Sequence, residues 1–198
     1  MSRKRYSIPE ERITALGRLV GVNYTDKTYE NFKCFLERYA YLKSDVSLVS
    51  ENCVNEFWEE APALFGDMIS YMSVPVDRID AYLVKLINSH QYMEIIEKTR
   101  DKVREFSGEG ELYYMILTKL YFLEEPLTDG QVEKLSKYSH GTYYLKKKYA
   151  IMLYGICFWS QIYDHWMNSK EEMKYIEAKH GRDGSLAENA RDNKIAIQ

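Results

Sequence analysis

Apolar side chains recur along most of this chain at three- and four-residue steps, the spacing that lines one face of an α-helix. Ser7-Ile8-Pro9-Glu10 has the form of a capping box with proline in the first turn, and predicts a helix from Pro9 to about Val20. Ile13, Leu16, Leu19 and Val20 would be its apolar stripe, and Gly21 is placed to end it in the left-handed conformation. Thr25 or Asp26 then caps a second helix with Tyr29, Phe32, Leu36 and Tyr39 on one face. A third is expected from about Ser47 to Glu60, carrying Val49, Cys53 and Phe57. Ala61-Pro62 disturbs it, and a fourth segment continues to Met72.

Pro75 opens a fifth helix with Ile79, Leu83, Leu86 and Ile87. Ser89 caps a sixth with Met93, Ile96, Val103 and Phe106, closed by Gly108 and Gly110. Leu112, Met115, Ile116, Leu120 and Leu123 mark a seventh, stopped by Pro126. Thr128-Asp129-Gly130-Gln131 is a second capping box, opening a short helix with Val132 and Leu135.

After Gly141 the helical pattern continues from Thr142 to about Lys179, with a possible break near Asn168 where Ser169-Lys170-Glu171-Glu172 repeats the capping pattern. Tyr149 to Trp159 is apolar nearly all round, which marks a buried helix; it falls well short of the roughly 20 residues that cross a bilayer. No segment alternates as a strand would, and no internal repeat is present. The expected fold is all-α, a single-domain irregular helical bundle of about seven to nine helices around a long C-terminal central helix. The domain would cover 1–181, and the ring-free tail 182–198 is expected to be mobile.

Composition adds one unusual feature, 18 tyrosines against 7 phenylalanines and 3 tryptophans in 198 residues. Such rings bury their faces and keep a hydroxyl at a polar edge, so they suit a core first and a binding surface second. The net charge of −3 gives no global field toward nucleic acid or an anionic membrane. Cys34, Cys53 and Cys157 fit neither a disulfide framework nor a metal pair, and point to a reducing cytoplasm. The basic start Arg3, Lys4 and Arg5 lacks the apolar run of a secretory signal.

Local charge is more informative. From Ser44 to Asp77 there is no lysine or arginine, while Asp45, Glu51, Glu56, Glu59, Glu60, Asp67 and Asp77 are all acidic. Glu56, Glu59 and Glu60 share a helical face beside Trp58, a negative surface with an aromatic anchor that would meet a basic protein partner. The competing interpretation is a solvated face paired with lysines elsewhere in the fold. Lys134 to Tyr149 is the opposite: Lys134, Lys137, Lys146, Lys147 and Lys148 interleave with Tyr138, Tyr143, Tyr144 and Tyr149. Together with Arg3, Lys4 and Arg5 they could hold phosphates and stack bases, or they could pair with the acidic stretch of their own chain.

Pro9 to Tyr39 departs from a DNA-binding helix-turn-helix at Lys27, where a packing residue is usual, and reads as an ordinary helical hairpin. Gly17-x-x-x-Gly21 records close packing or a helix end. Catalytic signals are few. His90, His140, His165 and His180 are scattered, and no zinc-protease motif, phosphate-binding loop or nucleophile elbow occurs. Asp164-His165, Glu124-Glu125 and Glu171-Glu172 are adjacent on helices and so point about 100° apart. Cys157, in the most apolar run, should be an inert thiol with a raised pKa. No metal or cofactor is called for. The expected function is a non-enzymatic binding protein that meets a basic surface through Glu51 to Asp67, such as a small inhibitor or accessory factor of a nucleic-acid enzyme. The alternative is a nucleic-acid-binding regulator.

Overall fold

The computed structural model describes residues 9–45, 66–69, 73–87, 90–164 and 167–168. Among the described residues the protein is all-α, with about eight helices and no strand. The chain divides into two compact units, 1–162 and 163–198, and the helices labelled below lie in the first but for the last two residues of the final one. The expected single domain over 1–181 and the tail over 182–198 both run through residues outside the description, as do the helix expected from Ser47 to Glu60 and the caps at Ser7 and Ser89.

Helix α1 is Pro9–Leu19 and α2 is Asp26–Asp45. Gly21, at φ +77, turns the chain between them. Thr25 caps α2 through its hydroxyl, which accepts from the Thr28 N–H at 3.1 Å. A helical turn over 66–69 leads to α3, Val76–Ile87, whose Ile79, Leu83 and Leu86 are buried as the periodicity required. Helix α4 is His90–Val103, and Gly108 at φ +97 ends the turn after it. Gly110 belongs to the next element rather than to that turn: it begins α5, Gly110–Leu117, and an added Cβ there would strike the Arg104 carbonyl.

Helix α5 widens into a π-helical segment, Thr118–Phe122. The wider turn brings three consecutive side chains, Leu120, Tyr121 and Phe122, into the core, where an α-helix would turn one of them out. The Lys119 carbonyl accepts the Leu127 N–H at 2.9 Å, folding the following loop back. Helix α6, Asp129–Ser136, begins with the expected capping box. The Thr128 N–H donates to Gln131 Oε1 at 2.8 Å, and the Gln131 N–H returns to the Thr128 hydroxyl at 3.4 Å. Helix α7 starts at 140 and is helical to 164, with residues through 162 in the first unit.

α7 is the central helix that the sequence implied. Gly155 lets Phe32 of α2 lie on its backbone, and Phe158 meets Phe35 with ring centroids 5.2 Å apart. The Trp159 indole N–H donates to the Val20 carbonyl at 2.9 Å, and Tyr154 stacks on Phe158 and neighbours Phe122. Gly17 belongs to the same contact: a Cβ there would sit 2.6 Å from the Val22 carbonyl oxygen and 3.3 Å from Ile156. Both expectations for the Gly17/Gly21 pair therefore hold, close packing at one and a helix end at the other.

The apolar stripe expected on α1 is corrected. Ile13 is fully buried, but Leu16 is exposed and Leu19 is 82% exposed, and α1 approaches α7 at the small Gly17, where a Cβ would lie 3.3 Å from Ile156. Leu135 of α6 is likewise exposed, leaving Val132 as that helix's buried contact. Among the described tyrosines, Tyr39, Tyr82, Tyr113, Tyr121, Tyr143, Tyr149 and Tyr154 are buried in the core.

Candidate interaction surfaces

The first surface is the acidic stretch. Glu51, Glu56, Trp58, Glu59 and Glu60 lie outside the described residues. Asp67 lies within them and forms an ion pair with Arg78, in the first turn of α3, so its charge is locally answered. The far end of the stretch is fastened to α2. Buried Asn31 donates to the Met68 carbonyl at 3.0 Å and accepts the Val74 N–H at 3.2 Å. Lys27 adds a bond to the Ser73 hydroxyl at 3.0 Å, and Arg38 grips Asp80 of α3 from α2 with its Nε 2.6 Å from Oδ1.

The second surface is the lysine-rich one, and most of it turns inward. Lys146 forms an ion pair with Glu109, whose other oxygen accepts the Tyr113 hydroxyl. Lys147, only 5% exposed, places its ammonium 2.8 Å from Asp129, and the Tyr143 hydroxyl donates to the same carboxylate at 2.8 Å. Lys148 reaches Asp26 at 2.7 Å and lies over the Tyr24 and Tyr29 rings. Successive positions on a helix point about 100° apart, so three neighbouring lysines reach three different elements.

Lys147 and Tyr143 turn inward. Both are buried, and each is held by an internal carboxylate. Lys146 and Lys148 are also spent on internal pairs. Arg3, Lys4 and Arg5 lie outside the described residues. Lys134, Lys137 and Tyr144 do remain on the surface. Lys137 ends α6 in the left-handed conformation at φ 59. His140 Nδ1 lies 3.2 Å from a Glu133 carboxylate oxygen, and its ring packs at a tilt against Tyr144 with centroids 4.6 Å apart, which ties α6 to the start of α7. The sequence reading missed the carboxylates Glu109, Asp129 and Asp26 as the lysines' partners.

Burial sets the titration of the hydroxyls and thiols. Desolvation, with the carboxylates Glu109 and Asp129 each accepting a bond, pushes the Tyr113 and Tyr143 hydroxyls far up, and desolvation first of all raises Tyr29 to about 12. The hydrogen bond from Lys148 holds the Asp26 carboxyl below its ordinary value. Burial raises the Cys157 thiol to about 11, the inert thiol expected of it, and raises Cys34 as well.

An open groove on α1 is lined by Glu10, Glu11, Thr14 and Arg18, with Glu10 accepting the Tyr149 hydroxyl at 3.2 Å. Among the described residues no group of histidine, cysteine and carboxylate side chains converges as a metal site would require, and no helix is long and apolar enough to cross a membrane. Asp164 is described but His165, like His180, is not. No family model, no curated protein and no solved structure matches this chain.

Proposed function

We propose that this chain is a non-enzymatic helical binding protein that engages a basic surface on another macromolecule through the acidic, aromatic stretch Glu51 to Asp67. A small inhibitor or accessory factor of a nucleic-acid enzyme fits this description. The observation that supports it is the commitment of Lys146, Lys147 and Lys148 to Glu109, Asp129 and Asp26, all outside the stretch from Ser44 to Asp77. The densest cluster of lysines in the chain is thus spent elsewhere. Arg78 answers Asp67 and leaves Glu51, Glu56, Glu59 and Glu60 as the charges that would meet the partner, with Trp58 as the anchor in their midst.

The test reverses Glu56, Glu59 and Glu60 to lysine and compares capture of basic partners by the two proteins at equal helical content. Reversal should remove capture and its salt sensitivity, since rim charges act mainly on association rate. Capture that survives the reversal unchanged would refute the proposal.

A further inference from the structure

Lys27, Asn31 and Arg38 follow one another on α2 at steps of four and seven residues, which places them within about 40° of each other around the helix and so on one face. All three hold the chain between Met68 and Asp80: Lys27 bonds Ser73, Asn31 bonds Met68 and Val74, and Arg38 bonds Asp80. Asn31 is the centre of that strip. It is 4% exposed, and Met68 and Val74 are buried with it, so its two bonds are made away from water. Its amide donates to the Met68 carbonyl and accepts from the Val74 N–H. Neither a carboxylate nor an alkyl group of that length could do both.

Met68 directly follows Asp67, the last residue of the acidic stretch. The chain leaves α2 at Asp45 and is fastened back to the same helix at Asn31, about 21 Å away at 1.5 Å per residue. A segment tied at both ends has less freedom to lose on binding than one tied at a single end. We infer, given that Glu51 to Asp67 binds as proposed above, that Asn31 is the positioning residue of that stretch. It is the latch that fixes Met68 to Val74 on α2 and so sets how the carboxylates before them meet a basic partner.

The latch can open without taking the fold with it. Helix α3 has its own anchors in Ile79, Leu83 and Leu86, all fully buried. Losing the Asn31 bonds should therefore free the ends of the 68–74 segment and leave α3 seated, a local opening rather than a global one.

The test uses the full chain, with amide exchange at Val74 and capture by an immobilised peptide of lysine and leucine as the two readouts. Asn31→Leu, close in size, should speed Val74 exchange about tenfold or more while α3 stays protected. The same variant should weaken capture about fivefold, mostly through faster dissociation. Ser73→Ala removes the acceptor of Lys27 at the surface without touching the core, and should give a smaller change of the same kind. Lys147→Met lowers stability at α6 instead, and should capture the peptide as the unaltered chain does. Val74 exchange or capture left unchanged by Asn31→Leu, or capture weakened equally by Lys147→Met, would overturn the latch and leave the binding stretch standing. Capture that survives reversal of Glu56, Glu59 and Glu60 would overturn the binding stretch itself, and with it any role for the latch in binding, even where Asn31→Leu still frees Val74.

Discussion

At Gly155 the backbone of α7 and the ring of Phe32 come so close that an added methyl group would overlap the ring carbons. Alanine is the better helix former by about 1 kcal/mol, but overpacking a fixed aromatic ring costs about 1–3 kcal/mol, so the clash should win. Gly155→Ala is therefore expected to lower the urea midpoint by an amount equivalent to about 1 kcal/mol or more, with little change in slope. Gly141, also in α7, has open space where a Cβ would go. Gly141→Ala should leave stability unchanged or raise it by up to about 0.5 kcal/mol, and a comparable loss at both sites would contradict this packing. The residue scale is also where sequence periodicity misleads. Leu16 and Leu19 fall on the helical stripe, yet the residue that sets the α1 contact is a glycine, and hydrophobicity patterns give a glycine no weight.

Among elements, α6 shows how a two-turn helix with one fully buried apolar residue, Val132, is kept in place. Its first residue, Asp129, receives Lys147 and Tyr143 from α7. Lys147→Met removes the charge and leaves a part-buried carboxylate without its main partner, at a cost of about 1–3 kcal/mol. Lys148→Met, one position along, abandons an Asp26 side chain that is 90% exposed, and should cost under about 1 kcal/mol. Urea melts of the two variants should keep that order; equal losses would mean that Asp129 is not shielded as described. The capping box of α6 was legible because both of its ends lie within four residues. The lysine partners were not, because they stand 37, 18 and 122 residues away, and no local pattern carries such a pairing. Nor does periodicity announce a π-helical segment, since the sequence from Thr118 to Phe122 is equally compatible with an α-helix.

For the molecule as a whole, the tyrosine-rich core makes a definite forecast at high pH. Tyr39, Tyr113, Tyr121, Tyr143 and Tyr154 are buried with their hydroxyls raised above the ordinary value of 10.0. In the unfolded chain these groups ionise near pH 10, while the folded chain keeps its protons. The stability they confer is thus whole below about pH 10 and falls above it, by about 1.4 kcal/mol per pH unit for each tyrosine held protonated. Surface tyrosines such as Tyr138 and Tyr144 ionise without unfolding, but the last fraction of tyrosinate absorbance should rise only together with helix loss above pH 10. Complete ionisation of all tyrosines in a chain that stays helical would contradict the burial. The all-helical class and the central position of α7 could be foreseen from spacing and from the apolar run Tyr149 to Trp159. Which carboxylates stay free could not, because that depends on the three-dimensional neighbours of each lysine.

The bond from Trp159 to the Val20 carbonyl also gives the molecule an optical gauge. The indole joins α7 to the chain just beyond α1, so its emission should shift to the red when α1 lifts away and water reaches the ring. Fluorescence of this one side chain, isolated by replacing Trp58 and Trp166 with phenylalanine, would then report whether α1 is seated, without any added label.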